Sequence, residues 1–199
     1  MDRLTGKTHC LYITRARTKY TAPALLTAGL KLARSFKRRE HLSSDDYATQ
    51  SSAVFKFMHG LLSSLYTRVT GSGVPDLVLR LFVSCGQVAC QCENEDVAYE
   101  YFAQAFTIYE ESISDSRSQL QAICIIAGGL STCSGRFSRE NYDTLITKAA
   151  LHGSKLLKKP DQCRAVYLAS HLWWAVEKEE RQEGAKEVSR DRFCTVPVY

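Results

Sequence analysis

The feature that most constrains this chain is a hydrophobic pattern that repeats at steps of three and four residues. Between residues 44 and 70 it forms one continuous stripe: Tyr47, Ser51, Val54, Phe55, Met58, Leu62, Leu65, Tyr66 and Val69. A stripe of this period is expected of an α-helix that buries one face, whereas a half-buried strand alternates at every second residue. Because no segment shows a strand pattern, the sequence predicts an all-α protein.

Capping residues and helix breakers divide the pattern into about seven helices. Short polar residues and prolines mark the predicted starts, because they satisfy or dispense with the free amides of a first turn. These are Thr21 with Pro23, Ser44, Pro75, Asn94, Asp115, Ser138 with Asn141, and Pro160 with Asp161. Ser138 and Asn141 have the spacing of a capping box, in which two side chains bond reciprocally to the helix start.

The predicted helices recur with a regular period. Every second helix starts near residues 45, 94 and 139, and the alternate set starts near 22, 75, 115 and 160. Two-helix units of roughly 40–47 residues are the period of HEAT and armadillo solenoids. A helical bundle is the alternative, but short connections and helices that are apolar on more than one face favour stacked repeats. We therefore predict an α-solenoid of HEAT-like antiparallel helix hairpins over residues 20–176.

The two ends of the chain depart from this pattern. Residues 1–40 carry ten Lys or Arg against two acids, a local charge of +8 within a formal net charge of +5. Residues 177–192 are charged at eleven of sixteen positions and show no sustained apolar stripe. We predict that residues 1–19 form a poorly ordered basic segment and that residues 177–199 form a poorly ordered charged tail.

The basic N-terminal region leaves a second class of function open. Clustered basic residues can bind nucleic acid or an anionic membrane surface. A nucleic-acid-binding helical-repeat protein is therefore the alternative to a scaffold that binds proteins. A charge run more commonly covers a solvated helix face, so we expect no nucleic acid.

A second basic cluster, Lys155, Lys158, Lys159 and Arg164, straddles a proline corner near the last predicted helix. Cations there complement the negative end of the preceding helix dipole. We predict that this corner is structural, that Asp161 caps the last helix, and that Asp161 pairs with Arg164 three residues on.

No run of about 18 apolar residues suggests a membrane span, and the first twelve residues lack the pattern of a secretory signal. Several of the eight cysteines lie in or beside apolar stripes, where a free thiol packs as a small hydrophobic group. We expect a reducing cytosolic compartment, with Cys85, Cys124 and Cys163 reduced and largely buried.

Catalytic and metal-binding patterns are not found. Cys85, Cys90 and Cys92 have no second pair of cysteines or histidines at zinc spacing, so positions in the core explain them better than a metal site. The five histidines are scattered, and no nucleophile elbow, zinc-protease motif or P-loop occurs. We expect no enzyme activity, no metal and no cofactor.

Two longer segments resemble a known family. Residues 98–106 (AYEYFAQAF) with 108–116 (IYEESISDS), and residues 154–166 (SKLLKKPDQCRAV), are similar to the large α-solenoid subunit of retromer, the vacuolar protein sorting coat. The likeness closes at His171-Leu172-Trp173-Trp174, where the family is expected to have Phe in place of Trp173. It covers roughly residues 19–176 and belongs to the C-terminal half of a longer family chain.

The resemblance implies a non-catalytic scaffold segment of HEAT-like hairpins. In the family, this half of the solenoid curves around a small subunit with a metallophosphoesterase fold, and an arrestin-like subunit binds the opposite end. The coat lies on the cytosolic face of endosomes and returns transmembrane cargo to the Golgi or the plasma membrane. We expect this chain to be cytoplasmic and peripheral on endosomes, associating with membrane indirectly through the coat.

The sequence also departs from the family. The arrestin-binding motif has no counterpart here, and a charged tail follows Trp174 where further helices are expected, so we expect a fragment or a truncated gene product. Contact with the small subunit should be weakened, and contact with the arrestin-like subunit lost. The residues that we single out for an interaction or structural role are Lys158, Lys159, Asp161, Arg164, His171 and Trp174.

Overall fold

The computed structural model describes residues 3–39, 44–69 and 75–174, with side chains over 20–39, 49–67 and 75–174. The described residues form seven helices and no strand, which confirms the all-α prediction. Their bounds are α1 (Arg3–Arg39), α2 (Ser44–Val69), α3 (Pro75–Gln91), α4 (Glu95–Ser112), α5 (Ser116–Ser131), α6 (Arg139–Ser154) and α7 (159–174). The predicted tail 177–199 lies outside the described residues.

The first helix begins earlier than predicted. Thr21 and Pro23 were expected to open it, but α1 starts at Arg3 and contains Pro23 in its interior. Helix-forming residues stand on both sides of the proline, so the helix continues past the one amide that proline cannot donate. Since the side chains of residues 3–19 are not described, their poor packing stays a prediction.

The helices stack in two rows. Helix α3 packs against both α1 and α5, and these three make the first row. Helices α2, α4 and α6 make the second row, with α4 packed against α6. Successive helices pair as hairpins, α1 with α2, α3 with α4 and α5 with α6. This two-row stack of antiparallel hairpins is the predicted α-solenoid.

Contacts between neighbouring hairpins reproduce the period read from the sequence. Within the rows, the side chain of Gln87 bonds to Thr132, 45 residues on, and that of Tyr66 bonds to Glu111, also 45 residues on. Asn94 bonds to Ser51 at a separation of 43 residues. From α2 onward, the bonded helices therefore meet their counterparts one repeat away, at a spacing within the predicted range of roughly 40–47 residues. The bond from Arg34 of α1 to Gln91 of α3 spans 57 residues and falls outside this range.

The central hairpin holds the core together because α3 is apolar on more than one face. Its buried residues are Val78, Leu79, Phe82, Val83, Cys85, Gly86, Val88, Ala89 and Cys90. The fully buried Phe102 of α4 fits between α3 and α5 at two glycines, where a Cβ on Gly86 or Gly129 would lie 3.0 or 3.1 Å from its ring. Because glycine has no side chain, these two positions let α3 and α5 of the first row come close to Phe102 of the second row.

Helix α3 ends in a Schellman motif, which sets the entry to α4. The amide of Asn94 donates to the Ala89 carbonyl and that of Glu93 to the Cys90 carbonyl. Glu93 takes the left-handed φ of 60° that glycine usually supplies at this position. Asn94 precedes α4 as predicted, but its side chain makes no cap and donates instead to Ser51 of α2.

Candidate interaction surface

A carboxylate at the start of α4 accepts three hydrogen bonds from residues at the start of α6. Glu95 Oε1 accepts from the Ser138 amide at 2.9 Å, the Ser138 hydroxyl at 2.6 Å and Asn141 Nδ2 at 2.7 Å. These bonds hold the pKa of Glu95 below its usual value, because they favour the carboxylate. The predicted capping box of Ser138 and Asn141 is therefore wrong: Ser138 occupies the cap position, but its side chain bonds across to the neighbouring hairpin.

A second carboxylate, near the opposite end of α4 from Glu95, also joins α4 to α6. Glu110 Oε1 lies 2.9 Å from Lys148 Nζ and 3.0 Å from His152 Nε2. The His152 ring stacks on Phe106 and meets Tyr109 edge-on. Burial lowers the pKa of His152, although Glu110 acts in the opposite direction, and the bond from Lys148 lowers the pKa of Glu110. Glu95 and Glu110 thus fix α6 to α4 near both ends.

In the first row, basic residues near the end of α1 bond to the last residue of α3 and to the turn after it. Arg34 Nε donates to Gln91 Oε1 at 2.9 Å, and Lys37 Nζ lies 2.8 Å from Glu93 Oε2. At least these two members of the basic N-terminal region therefore serve the packing of one hairpin on the next.

The proline corner lies between α6 and α7. Asp161 pairs with Arg164 at 3.4 Å, as predicted. The prediction that it caps α7 is wrong, because the helix already begins at residue 159 and Asp161 lies inside the first turn, where its charge faces the positive end of the helix dipole. Lys159 Nζ donates to Gln162 at 3.3 Å, and Gln162 Nε2 donates to the Leu156 carbonyl at 2.6 Å. Lys158 is exposed. An interaction of these residues with a partner stays a prediction.

Helix α7 packs against α6 mainly through small residues, and several of its large residues are exposed to solvent. Ala165, Ala169 and Leu172 are buried, and a Cβ on Gly153 of α6 would lie 3.0 Å from that of Ala165. The large apolar residues exposed on α7 and just before it are Leu157, Val166, Tyr167, Trp173 and Trp174. His171 is also exposed and meets the Tyr167 ring edge-on at 4.9 Å. His171 and Trp174 thus lie on the outer surface of the stack, where their predicted interaction role is open.

The cysteine predictions are confirmed at one position and wrong at another. All six cysteines with described side chains are free thiols. Cys85 is fully buried and Cys124 is half-buried, but Cys163 is exposed. Cys163 lies two positions before the buried Ala165, about 200° around the helix, so it faces solvent.

Within the described residues, no group of three or more His, Cys, Asp or Glu side chains could hold a metal ion. Nor does any described helix combine the length and apolar character that a membrane span needs.

The fold and these surfaces define a helical-repeat α-solenoid, bonded from hairpin to hairpin by side chains and bearing exposed aromatic groups at one end. A family model described as vacuolar protein sorting-associated protein 35 matches residues 4–191. The chain belongs to this family.

Individual relatives agree with this assignment. Vacuolar protein sorting-associated protein 35A of Arabidopsis thaliana is 39% identical over 181 residues, which is 90% of this chain and 22% of the relative. The protein 35 of Schizosaccharomyces pombe is 40% identical over 176 residues, covering 88% of this chain and 20% of the relative. The chain therefore spans about a fifth of the length of the curated relatives it matches.

From the sequence, we did not single out Glu95, Glu110 and His152, the residues that join α4 to α6. Each lies in a helix whose polar face looks ordinary in isolation. A signal was available in the spacing, since Glu95 and Ser138 stand 43 residues apart, one repeat of the predicted period.

Proposed function

We propose that this chain is a non-catalytic scaffold segment of a retromer-type endosomal coat, which mediates protein–protein assembly for retrograde transport of transmembrane cargo. The observation that carries the proposal is the family match over residues 4–191, together with the two-row helix stack that the described residues form. A rigid stack of this kind offers extended surfaces and needs no catalytic group.

The small subunit with a metallophosphoesterase fold is the partner that we expect, with weakened affinity because the chain spans about a fifth of its relatives. We do not expect the arrestin-like subunit to bind this segment. In this proposal the chain is cytoplasmic and reaches the cytosolic face of endosomes only through the coat.

The test is a binding titration of the full chain with each purified subunit by calorimetry. Measurable binding of the small subunit, and none of the arrestin-like one, is the expected result. A Phe102→Asp variant, which places a charge in the core between α3 and α5, should lose that binding with its fold. Nanomolar binding of the arrestin-like subunit, or no binding of either, would contradict the proposal.

The nucleic-acid alternative is tested by measuring how binding affinity depends on salt concentration. Binding to phosphates weakens steeply as salt is raised, because counterions are released. Titration with a DNA duplex at low and physiological salt would reveal such binding, and a steep loss of affinity would favour the alternative.

A further inference from the structure

Two buried thiols meet where the end of α3 lies beside the turn that follows α5. Cys90 is in the last turn of α3, and Cys133 is the second residue after α5, 43 positions further along the chain. Both side chains are buried, with exposed fractions of 1% and 0%. The two thiols hydrogen-bond to each other, so their sulfur atoms are neighbours.

Further hydrogen bonds hold the end of α3 against this turn. Arg136 donates its amide to the Cys133 carbonyl at 3.2 Å and its guanidinium to the Cys90 carbonyl at 3.5 Å. Three residues before Cys90, the Gln87 side chain donates to the Thr132 hydroxyl at 3.0 Å. The backbones on both sides of the thiol pair are therefore fixed close together, and a disulfide requires such closeness.

The bond between the thiols gives them different reactivities. Because Cys90 donates and Cys133 accepts, the pKa of Cys133 is lowered and the pKa of Cys90 is raised. Burial adds to the rise at Cys90 and opposes the fall at Cys133, while the positive charge of Arg136 favours both thiolates. The thiolate is the form that reacts with an oxidant, so Cys133 is the thiol that reacts first.

The turn after α5 is the route by which a small oxidant reaches the pair. Residues 132–138 are not helical, and Thr132, Gly135 and Arg136 are exposed beside the buried Cys133. A short turn with exposed backbone opens locally at a lower free energy than a packed helix does. Hydrogen peroxide is little larger than water and can reach the Cys133 sulfur during such an opening.

We propose that Cys90 and Cys133 form an intramolecular disulfide when a peroxide oxidises the protein, and that this bond locks the hairpin of α3 and α4 onto that of α5 and α6. The Cys133 thiolate attacks one oxygen of hydrogen peroxide and the O–O bond breaks. The departing hydroxide takes up the proton that Cys133 released, which leaves a sulfenic acid on Cys133.

The second step closes the bond. The Cys90 sulfur attacks the sulfenic sulfur, the S–O bond breaks, and a second water leaves with the Cys90 proton. Two thiols are thus oxidised to one disulfide while one peroxide is reduced to two waters. In a reducing compartment both residues stay thiols, so the disulfide reports the oxidation state of the surroundings.

The first test treats the full chain with hydrogen peroxide and maps its disulfides by mass spectrometry after digestion without reductant. The expected product is a pair of peptides joined through Cys90 and Cys133, which dithiothreitol should separate. Cys90→Ser should lose this product. Cys92→Ser is the matched control and should keep it, because Cys92 is also buried but its thiol bonds elsewhere, to the Ala33 carbonyl at 3.8 Å.

The second test measures melting by circular dichroism before and after oxidation. A disulfide across 43 positions restricts the unfolded chain, so the melting temperature of the parent protein and of Cys92→Ser should rise by roughly 5–15 °C. Cys90→Ser should show no such rise. Melting of the reduced variants checks that each one folds, and Cys133→Ser replaces Cys90→Ser if that variant does not.

A disulfide from Cys90 to any other cysteine, or oxidation confined to the exposed Cys163, would overturn the pairing. An oxidised protein that melts no higher than the reduced one would overturn the locking of the two hairpins. These measurements involve no coat subunit, so the disulfide stands or fails independently of the scaffold function.

Discussion

The Tyr101 hydroxyl donates a hydrogen bond of 2.9 Å to the backbone carbonyl of Phe55, 46 residues earlier in the chain. The bond joins α4 to the middle of α2, so it connects one hairpin to the previous one. Burial raises the pKa of Tyr101, because the phenolate would lose its hydration. The side chain is therefore a neutral donor at neutral pH.

Tyr101→Phe should lower the free energy of unfolding by about 1 kcal/mol, the net value of a typical hydrogen bond. The Phe55 carbonyl lies within helix α2, which limits the cost of losing the side-chain donor. Chemical denaturation monitored by circular dichroism measures the difference. Tyr167→Phe, at an exposed site on α7, is the control and should change stability little. A larger loss in the control would contradict this account.

Stability should fall as the pH drops below about 6.5, in part through His152. Burial lowers its pKa from the ordinary value of 6.5, so the unfolded chain takes up a proton before the folded one does. The contribution of the neutral ring is therefore complete above about pH 6.5 and is lost as pH falls through the folded-state pKa. The pKa of Glu110 is lowered, so this partner stays charged throughout that range.

His152→Phe keeps a ring against Phe106 and Tyr109 but removes the titration. Melting temperatures between about pH 7.5 and 5.5 should therefore depend less on pH in this variant than in the parent protein. His171→Phe, on the exposed face of α7, serves as the comparison. A pH dependence that is the same in the parent and in His152→Phe would exclude this role for His152.

A thiol reagent should label Cys163 much faster than Cys85. Cys163 is exposed, whereas Cys85 is fully buried and burial raises its pKa to about 12, so little thiolate forms. Peptide mapping by mass spectrometry after brief alkylation of the native protein should find Cys163 modified and Cys85 unmodified. Both should react after denaturation. Early modification of Cys85 would show that the core between α3 and α4 opens readily.

Asp161→Ala should lower stability by about 0.3–1 kcal/mol, the value of a negative charge in the first turn of a helix. Arg164→Ala removes only the ion pair with Asp161, worth a few tenths of a kcal/mol, and so provides a matched comparison. Calorimetric melting of both variants gives the values, and binding of the small subunit should change only in proportion. If Asp161→Ala melted like the parent protein yet lost binding, the corner would be a contact site.

Asp115 shows what the sequence by itself determined. Its position as the cap of α5 was predicted, and its carboxylate accepts from the Ser118 amide at 2.9 Å. The helical class and the apolar stripe of α2 were likewise predicted, and so was the two-helix period, which follows from where successive helices start. The cap, the helical class and the stripe depend on residues three to seven positions apart, which one helix brings together by its own geometry.

Only the tertiary structure decided which partners these helices meet. Ser138 and Asn141 bond to Glu95 because the stacking of hairpins brings a carboxylate 43 residues away within reach, in place of the local cap. Cys163 lies outside because the small Ala165 lets α7 approach Gly153 of α6 and leaves the rest of its surface to solvent. Local periodicity shows that a helix has an apolar face, but the closest packing against a neighbour determines which face is buried.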